Sequence, residues 1–531
     1  MTAQSEAVEK IKTGYTFTTP SIDLGVLMVD GTPDTDVRVR LSLSMLNRHG
    51  LVAGATGTGK TRTLQLLAEA ISRAGVSVFA ADIKGDLSGI AIPGTPSEKL
   101  LARTTKIGQD WQPAACPTEF YALGGQGTGV PLRATVSSFG PILLSKVLGL
   151  NETQESSLGL VFHYADTQGL PLLDLADLKE VLLYLTSDEG KLELKELGGL
   201  SSATVGVILR TLVTLQTQGA DEFFGEPEFD TRDLIRTAAD GKGVISLLEL
   251  PNLQDRPQIF STFLMWVLAD LFHDLPEIGD VDVPKLVFFF DEAHLLFDGA
   301  SKAFLDAIAQ TVRLIRSKGV GIFFVTQSPT DVPENVLAQL GSRVQHQLRA
   351  HTPNDAKALK ATVQTYPTSQ YDLAETLQSL GIGEAIITVL NPDGAPTPVA
   401  WTRMMAPAGS MGAMPPDWLA NGVASSAMQT KYGQDINRDS AYEMLARKLE
   451  AGAARAQAEA DAAAQAKEQA AQDKADAARE RASAPRTASR TSSRPAPRSG
   501  VERVLGSATF WNQVIRVGGQ VVRTMWGTAQ R

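Results

Sequence analysis

Three groups of side chains in this sequence have the types and spacing for phosphate chemistry. The first is Gly54-Ala55-Thr56-Gly57-Thr58-Gly59-Lys60-Thr61, a complete G-x-x-x-x-G-K-[ST] loop. Its glycines let backbone N–H groups converge on phosphate oxygens. Lys60 then reaches the β- and γ-phosphates of a nucleoside triphosphate, ATP by default, and the Thr61 hydroxyl is placed to hold Mg2+. Arg62 follows in the first turn of the next helix and completes the expected nucleotide-binding set. The second group is Asp291-Glu292, two acids closing the apolar run Leu286 to Phe290. Asp291 is expected in the Mg2+ shell, with Glu292 as the general base that polarises the attacking water. The third group is a set of single polar residues. Asp82 ends another apolar run and would emerge beside the nucleotide, unless it is a loop or capping acid. Gln327 follows the run Val320 to Val325, where its amide could sense the γ-phosphate or orient the water, or else cap. Arg316, and less so Arg313, could supply a guanidinium to the site of a neighbouring subunit.

These residues need a scaffold that brings distant segments to one edge, and the hydrophobic pattern predicts it. Gly50 to Ala53 reads as a buried strand before the loop, and Leu64, Leu66, Leu67, Ala70 and Ile71 are apolar at helical spacing after it. Val76 to Ala81, Gly243 to Leu248, Lys285 to Phe290 and Val320 to Val325 are further short apolar runs. Such runs alternating with helices predict an α/β fold with a twisted, mainly parallel sheet, whose ligands sit at the carboxyl ends of the strands.

The chain divides by composition into an expected N-terminal β appendage or edge hairpin (1–45), a nucleotide-binding core (46–140 and 237–406) and a helical insertion (141–236). Within the core, Gly124-Gly125-Gln126-Gly127-Thr128-Gly129 has no following lysine and reads as a hairpin loop. Ala400 to Met405 is expected to close the core. Beyond it lie an alanine-rich helix (440–482), a Ser/Pro/Arg-rich disordered linker (483–500) and an amphipathic basic segment (501–531). That last segment, with Trp511, Ile515, Arg516 and Arg523, is suited to docking on a neighbouring subunit or touching a membrane surface.

Bulk properties narrow the setting. At 531 residues the chain is too long for one simple core. Its net charge of −10 excludes a global basic field for nucleic acid, leaving only a local channel. Cys116 is the one cysteine, so neither an internal disulfide nor a cysteine metal cluster can form. Met1 to Phe17 lacks the apolar core of a signal peptide, and Phe260 to Phe272 is too short and too interrupted to span a bilayer. A cytoplasmic setting is expected.

Leu46-Asn47-Arg48-His49-Gly50 leading into the phosphate loop resembles the HerA-like branch of the FtsK–HerA ring ATPases. Asp82-Ile83-Lys84-Gly85-Asp86, Asp291-Glu292-Ala293-His294 and Arg316 to Gly321 followed by Thr326-Gln327 carry the same resemblance. Gly341 to His346 through Ala350 is similar to the YjgR-type subgroup. The resemblance spans about Gly25 to Ala406. It implies a RecA-like (ASCE) P-loop core, Mg2+-dependent ATP hydrolysis and a homo-oligomeric ring, a hexamer, acting as a DNA translocase or helicase-like motor. It further implies Gln327 as sensor, Arg316 as the trans-acting finger and Asp82 near metal and water. The short N-terminal segment and the large insertion depart from HerA, so the role of HerA with a nuclease partner transfers poorly. A DEAH-box helicase is the competitor suggested by Asp291 to His294. It is disfavoured by the long separation from the phosphate loop and the lack of a second RecA-like domain. An ATP-switched assembly or regulatory protein, acting on protein partners without translocation, is the alternative that the acidic balance favours.

Overall fold

The computed structural model describes residues 3–194, 198–250, 257–279, 281–298 and 300–483. Among these, twelve strands form one sheet. They are β1 (Ser21–Val29), β2 (Thr32–Ser42), β3 (Gly50–Ala53), β4 (Ser77–Asp82), β5 (Thr118–Leu123) and β6 (Val130–Leu132). The rest are β7 (Ile245–Glu249), β8 (Leu286–Phe290), β9 (Val320–Thr326), β10 (Ser342–Gln345), β11 (Glu384–Thr388) and β12 (Ala400–Met404). Their order is β2-β1-β12-β11-β10-β3-β9-β8-β4-β7-β5-β6. Every neighbouring pair from β10 to β6 is parallel, and the β2-β1-β12-β11-β10 side is antiparallel.

The central strands are continuous apolar runs because both their faces are covered. Successive side chains alternate between two cores. Phe79, Phe288, Phe290, Ile322 and Phe324 face one, which also contains the Pro257–Asp274 helix. Val78, Val287, Phe289, Phe323 and Val325 face the other, against Leu64, Leu67 and Ile71 of the Lys60–Arg73 helix. Truncating one of these fully buried phenylalanines to alanine costs about 3–5 kcal/mol.

Residues 136–217 form helices at Val136–Val147, Glu152–Thr167, Leu175–Thr186, Asp188–Glu193 and Ser202–Thr217. Asn151 with Gln154, and Asp174 with Asp177, close reciprocal capping boxes that start two of them. Their apolar faces, including Leu158, Val161, Leu178, Leu182, Ile208 and Leu212, merge with the first core, so the helices roof one face of the sheet.

Two expectations change, and one open alternative closes. The glycine run after β5 is not a hairpin loop: β5 and β6 run parallel, Tyr121 opposite Val130 and Leu123 opposite Leu132. Local turn chemistry gave no information on strand direction there. The N-terminal strands take the edge-hairpin alternative: β1 and β2 pair antiparallel at the sheet's edge, and β1 joins it through β12. The Ala3–Gly14 helix and the residue just after it bury Ile11 and Tyr15 in the second core, and the Tyr15 hydroxyl lies 3.0 Å from both Ile387 O and Pro398 O. The folded unit also continues beyond Met405. Helices Pro416–Ser425 and Ala427–Tyr432 follow, and the ring of Tyr432 lies 4.9 Å from that of Phe229.

The Ala441–Ser483 helix begins in this unit, where Ala441 and Leu445 are buried. The contacts divide the chain into residues 1–450 and a second unit from Ala451 onward, in which the helix is exposed almost throughout its described side chains. The expected linker beyond Ser483 and the amphipathic 501–531 segment lie outside the described residues. Among the described residues, no helix is long and apolar enough to cross a membrane.

Candidate active site

The parallel strands deliver the polar residues to one edge. β3 ends at Ala53, and the loop after it is pinned on both sides. Gly54 N donates to Thr326 O of β9 (3.2 Å), and Ala55 N donates to Gln347 O just beyond β10 (2.8 Å). Gly57 and Gly59 have φ of +81° and +120°, which side-chain-bearing residues rarely adopt. Thr58 Oγ1 donates to Ala55 O at 2.7 Å, closing the loop. Lys60, which starts the Lys60–Arg73 helix, donates from Nζ to Gly54 O (2.7 Å) and Ala55 O (3.3 Å). The lysine is therefore folded over its own loop, as phosphate chemistry requires. Burial lowers its pKa, and the Glu292 and Asp291 charges oppose that shift.

His346, which had no assigned role in the sequence pattern, backs this loop. Its Nδ1 lies 2.8 Å from Glu384 O and its Nε2 lies 2.8 Å from Thr63 Oγ1. A carbonyl only accepts, so Nδ1 carries the proton and Nε2 accepts from Thr63. Burial pushes the imidazole down to about 4 and keeps it neutral. No signal in the Gln345-His346-Gln347 string distinguishes this role from an ordinary strand-end histidine.

β8 lies between β9 and β4 and carries the two acids to the same edge. Ala293 N donates to Val325 O (2.9 Å), so Glu292 sits level with the end of β9. Asp291 accepts from Glu292 N on Oδ1 (2.9 Å), while its Oδ2 is buried and has no hydrogen-bond partner among the described residues. Burial, and then the Glu292 charge, raise its pKa to about 7. Glu292 has φ of +47°, a strained conformation for a residue with a side chain. Its Oε1 is paired with Lys84 Nζ. Burial alone would raise its pKa, but that hydrogen bond and the nearby positive charges hold it below the ordinary glutamate value.

Asp82 occupies the same edge but does not face the others as a free carboxylate. Its Oδ1 accepts from the backbone N–H of Lys84 (3.1 Å) and Gly85 (2.8 Å), and its Oδ2 accepts from that of Leu87 (2.7 Å). This is the loop-acid role left open in the sequence, and it fixes the turn that carries Lys84. Beside it in register is Glu249, the last residue of β7. Burial, then Asp82 and Asp86, push Glu249 up to about 8. Glu249 could have been found by the same strand-end rule that selected Asp82.

Gln327 is exposed at the end of β9, next to the Gly54–Thr326 contact, and lines a hollow with His294 and Asp298. Arg62 and Thr63 line a cavity of about 650 Å3 with Arg103, Ile382, Met404 and Pro407, adjoining the loop through Gly59. Arg316 is not brought to this edge. It lies in a short helical turn, Arg316–Lys318, before β9, while Gln327 follows the strand. Seven strand residues separate the two edges, roughly 20 Å. There Arg316 lines a separate hollow with Arg48, His49 and Arg313.

A strand–loop–helix phosphate cradle, with an acid pair from a nearby parallel strand, is the arrangement of a P-loop ATPase. The Saccharolobus solfataricus DNA double-strand break repair helicase HerA is 23% identical over 367 residues, 68% of this chain and 66% of that protein. The Sulfurisphaera tokodaii protein of the same name is 24% identical over 370 residues, 68% and 66%. The chain thus spans just under two thirds of the length of these relatives. Plasmid coupling protein TrwB in complex with ADP and Mg2+ superposes with a TM-score of 0.48 at 15% identity, covering 76% of this chain and 94% of that one. The family model described as "Helicase HerA-like C-terminal" matches residues 27–531, and the chain belongs to that family.

Proposed function

We propose that this protein is a Mg2+-dependent ATP hydrolase that works as a ring-forming motor on DNA. The observation carrying the hydrolase reading is the convergence of Lys60, Asp291 and Glu292 at one sheet edge. There Asp291 Oδ2 is buried without a partner. An oxygen-only donor set suits Mg2+, which usually takes few protein ligands and keeps substrate phosphates in its shell. Among the described residues no three acidic, His or Cys side chains converge to hold a metal unaided, in keeping with an ion that arrives with its nucleotide. Asp291 and Thr61 would hold Mg2+, which when bound neutralises charge on the β- and γ-phosphates.

Gly54 to Thr61 binds the phosphates through loop amides, and Lys60 exchanges its loop carbonyls for β- and γ-oxygens. Glu292 takes a proton from a water as that water's oxygen bonds to the γ-phosphorus. The bond from that phosphorus to the β,γ-bridging oxygen breaks, and its electron pair leaves on ADP. Gln327 is assigned to orienting the water or sensing the γ-phosphate, and Arg62 to the phosphate side of the adjoining cavity. DNA as the polymer rests on the family and on relatives named as DNA double-strand break repair helicases.

Phosphate release is to be measured with and without single- and double-stranded DNA over a range of salt. The expected result is stimulation that weakens as salt rises. Glu292→Gln should retain ATP binding and lose roughly 100-fold or more in kcat, whereas Lys60→Ala should lose binding. Hydrolysis that never responds to DNA would instead favour an ATP-switched protein that assembles with protein partners.

A further inference from the structure

We infer that Lys84 is a positioning residue for hydrolysis, holding one oxygen of Glu292 so that the other faces the water. The inference rests on the reading of Glu292 as the base. Glu292 leaves β8 through a backbone with φ of +47°, which sets the direction in which its side chain departs. Its two carboxylate oxygens have different surroundings. Oε1 is paired with the Lys84 ammonium. Oε2 is buried and has no hydrogen-bond partner among the described residues. His294 Nδ1 lies 3.3 Å from it but lacks the alignment of a hydrogen bond. A carboxylate gripped at one oxygen has a fixed plane, so its second oxygen points in one direction only. A base needs that free lone pair.

The grip is itself built to be rigid. Lys84 comes from the turn after β4, the strand directly beside β8, with Ala81 level with Phe290. That turn is held by the Asp82 carboxylate, which accepts from the amides of Lys84, Gly85 and Leu87. Asp82 thus acts on the site through Lys84. Lys60, already over the loop, serves the phosphates, so the second lysine is left for the base.

The test uses the full chain with Lys84→Met, Lys84→Arg and Glu292→Gln, each compared with wild type for ATP turnover and for affinity of a fluorescent ATP analogue with Mg2+. Thermal unfolding identifies folded variants. A positioning role gives Lys84→Met a loss of roughly 30-fold or more in kcat, with nucleotide Kd and KM within about threefold of wild type. Lys84→Arg, which keeps a donor and a charge, restores kcat to at least about a tenth of wild type. The inference is overturned if Lys84→Met turns over within about threefold of wild type, if its nucleotide affinity falls as far as its kcat, or if Arg rescues no better than Met. Wild-type turnover in Lys84→Met alongside a dead Glu292→Gln removes this inference alone. An active Glu292→Gln removes the base assignment with it.

Discussion

At the scale of single residues, the candidate edge gathers more acid than a phosphate site tolerates without help. Asp82, Glu249 and Asp291 all sit at strand ends, and burial raises all three, to about 6, 8 and 7. Asp82 is stabilised by three amides and Glu292 by Lys84, but Glu249 Oε1 has no hydrogen-bond partner among the described residues. A carboxyl whose folded pKa lies above its ordinary value binds its proton more tightly in the folded state. Its contribution to stability is therefore full at low pH and lost as pH rises from the ordinary value of 4.5 towards 8. Glu249→Gln removes that loss. The variant is expected to gain stability over wild type as pH rises from 5 to 8, by at least about 1 kcal/mol overall, and to level off about a pH unit above that. Urea unfolding of both proteins at a series of pH values measures the gap; a constant gap would mean that Glu249 does not titrate in this window. The acid pair and Lys60 were legible in the sequence because each closes or opens a short local pattern. Glu249 and Lys84 act through neighbours brought in by strand pairing. Lys84 and Glu292, 208 residues apart, meet only because β4 lies beside β8.

At the scale of elements, the phosphate loop is clamped rather than merely flexible. Gly54 is in contact with the segment after β10: a Cβ built there would lie 2.5 Å from His346 Cβ. Gly57, by contrast, has nothing within 4 Å of such an atom, although its φ of +81° is unfavourable to any other residue. Gly54, with φ of +156°, therefore combines a close contact with an unfavourable backbone, whereas Gly57 carries the backbone strain alone. Gly57→Ala is expected to cost about 1 kcal/mol, the usual penalty of a left-handed backbone. Gly54→Ala must also displace His346, and with it the Thr63 and Glu384 contacts, for about 2–3 kcal/mol. Equilibrium unfolding of the two variants tests the order, and equal losses would show that the His346 contact is not tight. The motif pattern names both glycines without ranking them, since the ranking depends on β10 pairing with β3. The same limit explains the glycine run after β5. Its composition marks a turn, but only the pairing of β6 with β5, on the side away from β7, settles that the chain re-enters parallel.

At the scale of the whole molecule, the positions of Arg316 and Lys60 require more than one copy if both serve one reaction. The strand between Arg316 and the candidate edge fixes their separation at roughly 20 Å, too far for any rotamer to cross. Arg316 shares its hollow with Arg48 and Arg313, and among the described residues no acid lines it. Guanidiniums gathered on one face suit an anion brought by another molecule, and in the ring we propose that anion is the neighbour's triphosphate. Mixing then distinguishes the arrangements. Arg316→Ala and Glu292→Gln should each be nearly inactive alone, Arg316→Ala by roughly 1,000-fold in kcat if its guanidinium acts on the transferring phosphate. In a mixed ring, an Arg316→Ala subunit keeps an intact base and can receive Arg316 from a Glu292→Gln neighbour, so some sites become complete. Activity in the mixture well above the sum of the two separate proteins is the expected outcome, and a Glu292→Gln, Arg316→Ala double variant should fail to rescue either parent. If the mixture shows only the sum, Arg316 has no partner site to complete. Its role would then be confined to the edge of the sheet on which it lies.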